Sequence, residues 1–221
     1  MTLKPCVVAV LGRNAVADVP AAKDADMIEL RLDLASGDPL QAAKAVRSAT
    51  NQPIIATNRL RSEGGKFSGS EEERIEILLR ASDYADYADI ELRAEGRDEF
   101  MRRVRRPVIV SYHDFSCTPG RDELIAILGE MRACKAAIAK IAVTPLVLKD
   151  NLMILDLLLD AKMPVCMIAM GPLGKHIRAV APFYGSALTY GYITEPTAPG
   201  QMSVAELKAA QRMMDPDAKS V

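Results

Sequence analysis

Residues 107–143 read PVIVSYHDFSCTPGRDELIAILGEMRACKAAIAKIAV, one complete strand–helix–strand unit. The apolar run Val108–Tyr112 predicts a strand, Asp122–Ala133 a helix, and Ala137–Val143 a second strand. Outward from this unit the same alternation covers the chain. Further strands are expected at Cys6–Leu11, Met27–Leu32, Ile54–Thr57, Tyr87–Leu92, Val165–Met170 and Ala187–Ile193. Helical patterns fall between and after them, at Leu40–Ser48, Glu71–Ser82, Asp98–Val104, Leu146–Ala161, Lys175–Ala181 and Val204–Met213.

Most of these strands are continuously apolar, as strands covered on both faces should be. Pro5, Pro53, Pro107 and Pro164 each stand just before a strand, where a missing backbone donor does least harm. Eight βα units, no GxGxxG after the first strand and no composition break predict an α/β protein. The expected fold is a single-domain (β/α)8 barrel, the TIM barrel, over residues 1–221. Such barrels carry their sites at the C-terminal ends of the strands and in the loops that follow.

Composition narrows the function. Hydrophobic residues make up 49% and charged residues 26%, ordinary for a globular protein. Lys and Arg number 28 against 29 Asp and Glu, so no positive excess draws the chain to nucleic acid or anionic lipid. Arg102, Arg103, Arg105 and Arg106 read as a solvated helix end. Cys6, Cys117, Cys134 and Cys166 are unevenly spaced and read as reduced thiols. With His113 and His176 the only histidines, no metal-spaced cluster exists, and no dedicated transition-metal site is expected. No signal peptide and no membrane span is legible, so the expected location is the cytoplasm.

The charged residues at strand ends are the candidates for chemistry. Glu29, Arg31 and Asp33 alternate in MIELRLDL and should share one face, as an interior ion-pair ladder or as a polar floor for a hydroxylated substrate. Arg59 leaves the third strand, and Glu63 precedes Gly64 and Gly65 in a loop that is either a site element or a polar surface loop. Glu91 ends the fourth strand without an assignable role beyond pairing with a base. His113 follows an apolar run at a strand end, where an imidazole can take and give a proton near neutrality. Lys140, inside AIAKIAV, is the most informative residue. Lysine is rarely buried without purpose: either it snorkels to a rim carboxylate, or desolvation favours a neutral amine able to attack a carbonyl. Gly171, Gly174 and Arg178 suit an anion at a strand–helix turn.

Seven blocks occur in order: ELRLD, R-x-x-x-EGG, SYHDF-x-x-TP, the lysine of AKIAV, MG-x-x-G-x-x-x-R, YGS and APGQ. From about Val7 to about Val204 the chain resembles the type I 3-dehydroquinate dehydratases, Schiff-base enzymes of the shikimate pathway. The resemblance implies Lys140 as the Schiff-base lysine, His113 as general acid and base, and Glu63 as the carboxylate supporting it. It implies substrate-binding roles for Glu29, Arg31 and Arg59, and for Arg178 and Gln201 at the substrate carboxylate, with Thr197 where the family usually has serine. It also implies 3-dehydroquinate as substrate, no cofactor, and a homodimer. Ile177 departs from the usual serine or threonine, so polar support for Arg178 is in question. The chain also begins almost at its first strand, which leaves room only for a minimal N-terminal hairpin.

Two other readings compete. A lysine-dependent aldolase or transaldolase would use the same imine but would call for a phosphate pocket on the last two loops. A catalytically inactive barrel acting as a binding module would have no use for Lys140, His113 and Glu63 together.

Overall fold

A computed structural model describes residues 6–214. Its strands are β1 (Cys6–Leu11), β2 (Met27–Arg31), β3 (Ile54–Thr57), β4 (Tyr87–Glu91), β5 (Val108–Asp114), β6 (Ile138–Val143), β7 (Val165–Ala169) and β8 (Leu188–Tyr192). They form one parallel sheet in the order β7-β6-β5-β4-β3-β2-β1-β8. Its two ends meet at a seam. There β7 and β8 share a single bridge, Val165 with Ser186, where the Ala187 amide donates to the Val165 carbonyl at 2.7 Å. The Ser186 hydroxyl accepts from the Met167 amide at 3.2 Å and so closes the gap with a side chain. The result is a nearly closed (β/α)8 barrel. Pro53, Pro107 and Pro164 precede their strands as expected, and Pro5 lies outside the described residues.

Helices α1 (Ala15–Asp18), α2 (Pro39–Ala49), α3 (Glu71–Ser82), α4 (Arg97–Arg103), α5 (Arg121–Ala133), α6 (Leu148–Asp160), α7 (Gly171–Gly174), α8 (Ile177–Val180) and α9 (Val204–Met214) surround the strands. Local sequence explains the sharpest starts. Ser70 and Glu73 cap α3 reciprocally: the Ser70 hydroxyl accepts from the Glu73 amide at 3.2 Å, and the Glu73 carboxylate accepts from the Ser70 amide at 2.9 Å. Asp38 accepts from the Leu40 amide at 2.8 Å, and Pro39 takes the first helical position of α2. The expected helix Lys175–Ala181 is instead two single turns followed by a 3-10 turn over Ala181–Tyr184. Pro172 starts a turn early, and Pro182 has no amide to continue the ladder.

Strand alternation sorts the core. Outward residues such as Ile28, Ile54, Ile90, Val110, Ile141 and Met167 pack against the helices, while Val8, Met27, Ile55, Ile109, Ile138 and Leu188 fill the barrel's lower interior. Above that apolar layer the inward positions turn polar: Glu29, Thr57, Asp89, Ser111 and Lys140 are all buried. The expected one-faced set Glu29, Arg31, Asp33 is corrected at its last member. β2 ends at Arg31, Leu32–Leu34 is a 3-10 turn, and this breaks the two-residue period. Asp33 turns back to accept from Arg31 Nε and Nη2, each at 2.8 Å.

Asp33 also accepts from the amides of Arg59 and Lys66, which ties down the loop after β3. Within that loop, the Gly65 amide donates to the Leu60 carbonyl at 3.0 Å. A Cβ on Gly65 would stand 1.9 Å from the Arg59 carbonyl oxygen. Gly65→Ala should therefore distort backbone rather than a side chain, with a loss on the order of 2 kcal/mol and a melting temperature lower by several degrees. Thermal denaturation checks this; an unshifted midpoint would mean that the loop has room.

Candidate active site

One cavity opens at the C-terminal ends of the strands, and all nine residues expected from the sequence line it: Glu29, Arg31, Arg59, Glu63, His113, Lys140, Arg178, Thr197 and Gln201. β2, β5 and β6 carry Glu29, Arg31, His113 and Lys140, and the rest come from loops or the short α8.

Lys140 is 4% exposed at the cavity floor. Its surroundings differ from the apolar sleeve that its sequence neighbours suggest, because those neighbours, Ala139 and Ile141, face the helices. The amine meets Glu29 Oε1 at 3.2 Å and Asp89 Oδ2 at 3.0 Å, and lies 4.2 Å from the centre of the Tyr190 ring. Asp89 is locked further by Arg59 Nη2 at 3.0 Å and by the Ser111 hydroxyl at 2.7 Å. Burial works to raise its pKa, but the charges of Arg59 and Lys140 overcome that and hold the carboxyl far below the usual carboxylate range. Glu29 carries fewer partners, accepting from Thr57 Oγ1 at 3.0 Å and from Lys140.

Glu91, which sequence reading left without a role, is fully buried beneath Arg59. Its Oε1 accepts from Arg59 Nη1 at 2.9 Å and from the Leu60 amide at 2.8 Å, while Oε2 accepts from Arg74 Nη1 at 2.9 Å. Arg74 in turn pairs with Glu71 through two nitrogens.

The loop after β3 is not a free surface loop. Glu63 is buried at 7% exposure, with its Oε2 2.8 Å from His113 Nδ1 and accepting from the His113 amide at 2.9 Å. Gly64 adopts φ +85°, and a Cβ there would strike Phe115, whose ring stacks on His113 at 6.4 Å between centres. Burial pushes the Glu63 carboxyl up to about 8 against the pull of Arg59. Burial also drives the His113 imidazole well below its ordinary value, with Arg59 and Lys140 adding repulsion. With Nδ1 engaged by Glu63, Nε2 is left for the cavity.

Across the cavity, Arg178 is buried at 2% exposure with no acidic partner among the described residues. Its Nη2 donates to the Pro199 carbonyl at 3.1 Å, its Nε has no partner, and burial lowers its pKa to about 10. Neighbouring Ile177 is buried and apolar, so the arginine lacks polar support from that side. Gln201 Oε1 accepts from the Thr197 amide at 2.6 Å and its hydroxyl at 3.1 Å, which leaves the Gln201 amide nitrogen as a donor. The Gly171 amide donates to Pro199, so the anion-holding turn expected there reduces to Arg178 itself.

Sequence reading missed Asp89, Ser111, Phe115 and Tyr190. For Asp89 a signal was present: in YADIE, Tyr87, Asp89 and Glu91 alternate with Ala88 and Ile90, the same two-residue period that exposed Glu29 and Arg31. Among the described residues no group of three His, Cys, Asp or Glu side chains is placed to hold a metal ion.

Fold and site together define a barrel enzyme built around a buried amine. Residues 7–218 match the family described as type I 3-dehydroquinase, and the chain belongs to that family. It is 51% identical to the 3-dehydroquinate dehydratase of Methanothrix thermoacetophila over 95% of this chain and 92% of that one. It is 42% identical to that of Methanocella arvoryzae, covering 97% and 99%. Among solved structures, 3-dehydroquinate dehydratase from Geobacillus kaustophilus superposes with a TM-score of 0.88 at 26% identity, covering 96% and 92%. The type I enzyme of Clostridium difficile, solved with covalently modified comenic acid, gives 0.84 at 28%, covering 95% and 92%. Membership in this family separates the chain from the aldolases and transaldolases.

The Glu63 carboxyl keeps its proton up to about 8 in the fold, whereas in the unfolded chain it ionises near its ordinary 4.5. Between those values the folded state binds the extra proton, so this group's contribution to stability falls as pH rises through the window. Glu63→Gln cannot ionise. Its stability relative to the parent should improve steadily from pH 5 to pH 8 in denaturant titrations; a difference independent of pH would show that the carboxyl ionises normally.

Proposed function

We propose that this chain eliminates water from 3-dehydroquinate to give 3-dehydroshikimate, through an imine on Lys140. The observation that carries this reading is an amine at the floor of a cavity whose walls hold a histidine–carboxylate pair and, opposite it, an arginine without an acidic partner. The name shared by its relatives supplies the substrate. The covalently modified comenic acid in the Clostridium difficile relative supports covalent chemistry in such a cavity.

The substrate carboxylate pairs with Arg178 and the Gln201 amide, with Thr197 holding Gln201 in place. Arg31, Arg59 and Glu29 orient the ring hydroxyls. Of the two carboxylates on Lys140, Asp89 is the poor proton acceptor, because Arg59 and Ser111 already engage it. Glu29 takes the proton. The freed Nζ lone pair attacks the ketone carbon, the carbinolamine loses water, and a cationic imine forms. That cation acidifies the neighbouring carbon, and His113 Nε2 removes its proton in the form of the pair in which Glu63 is ionised and Nδ1 carries the ring hydrogen, while the electron pair moves into the enamine. The enamine then expels the hydroxyl group, which takes the proton from His113 and leaves as water. Hydrolysis of the product imine consumes one water and restores Lys140, for a net loss of one water.

The chain is read as one catalytic domain without a cofactor, and the family likeness supports a homodimer in the cytoplasm. No helix among the described residues is long and apolar enough to cross a membrane.

Borohydride should trap the imine: with 3-dehydroquinate present, reduction should inactivate the protein and leave one adduct on the peptide bearing Lys140. Lys140→Met should show none. An adduct on another lysine, such as Lys175, sinks the mechanism. Arg178→Ala should chiefly raise KM, a loss on the order of 2–5 kcal/mol in binding, because it leaves a desolvated carboxylate unpaired. If KM holds and turnover collapses instead, the carboxylate is anchored elsewhere.

A further inference from the structure

Tyr190 on β8 lies at the floor of the cavity and has no task in the reaction as written. It is 3% exposed, its ring centre is 4.2 Å from Lys140 Nζ, and its hydroxyl is buried without a hydrogen-bond partner. The face of the ring, rather than the hydroxyl, is what meets the amine.

Counting donors shows why a ring belongs there. The Lys140 ammonium has three N–H groups, and two of them are used by Glu29 at 3.2 Å and Asp89 at 3.0 Å. Once the amine has condensed with a ketone, the protonated imine nitrogen keeps one N–H. It carries the same charge in the same place but can hydrogen-bond only one of those two carboxylates. A ring face needs no hydrogen on the cation, since its quadrupole attracts the charge itself. We infer that Tyr190 is a positioning residue of the covalent step, its ring holding the imine nitrogen in the protonated form after a carboxylate hydrogen bond has been given up. The inference rests on the Lys140 imine proposed above.

Only the protonated imine drives proton removal and is reduced readily by cyanoborohydride, a weaker hydride donor than borohydride. Without the ring it should lose its proton at lower pH, by roughly 0.4–1.5 units for a desolvated cation–ring contact. A pulse of limiting cyanoborohydride with 3-dehydroquinate over a pH series, followed by mass spectrometry of the Lys140 peptide, reads this directly. For Tyr190→Leu the alkaline limb of trapping should move to lower pH, with adduct reduced roughly 2- to 30-fold on that limb. Little should change where every variant is protonated, a pattern that mere loss of packing does not produce. Tyr190→Phe keeps the ring and should restore the parent limb. If Tyr190→Leu does not fold, pentafluorophenylalanine at position 190 keeps the shape, reverses the ring quadrupole and should reproduce the shift relative to Tyr190→Phe. No Lys140 adduct in the parent overturns the imine reading and this inference with it. An adduct in the parent with an unmoved limb in Tyr190→Leu or in the fluorinated protein overturns the inference alone, as does a Tyr190→Phe limb that moves like that of Tyr190→Leu.

Discussion

Arg59 enters the barrel almost wholly out of water, and the arrangement around it follows from the need to neutralise that charge. Its guanidinium spans Asp89 and Glu91 and also donates to Ser111, so four groups from two successive strands, β4 and β5, and the loop before them are fixed to one another. Asp89 passes the constraint to Lys140, and Glu91 passes it to Arg74 on α3. Buried charges cost several kcal/mol each unless paired with good geometry, and a network of this kind loses about 3–5 kcal/mol when one partner is removed. The amine at the floor is thus held by the same pairing that keeps the upper barrel neutral. Stability and placement of the buried amine are one requirement.

Much of this could be read from the chain because strand periodicity and barrel geometry are simple rules. All eight strands fell within two residues of their observed limits, and helix α3 matched at both ends where Ser70 and Glu73 cap it. The nine residues that line the cavity were legible because each stands at or just beyond a strand's C-terminal end, or in an ordered motif on the loops above. What escaped depends on three-dimensional partners. Asp33 left its expected face because a 3-10 turn ended the strand early, and no local pattern marks that turn. The polar cage of Lys140 escaped because residues next to it in sequence face the helices, while those that touch it come from β2, β4 and β8. Tyr190 reads as an ordinary aromatic of a buried strand until its ring is seen against the amine.

The seam between β7 and β8 has a further consequence. The barrel is joined there by one isolated bridge and two side-chain hydrogen bonds, from the Met167 amide to Ser186 and from the Cys166 thiol to the Leu188 carbonyl, where the other neighbours share a continuous ladder. Arg178 follows β7 and Gln201 follows β8, and the Pro199 carbonyl already receives hydrogen bonds from both Arg178 and Gly171. A carboxylate gripped by Arg178 and Gln201 would bridge the weakest join of the cylinder from above. Mass action then makes such a ligand a clasp as well as a reactant, adding about 2.7 kcal/mol at a hundredfold excess over its dissociation constant, and the gain would fall first on the opening of that seam. Amide protons of β7 and β8 would be the ones to exchange more slowly when the cavity is filled.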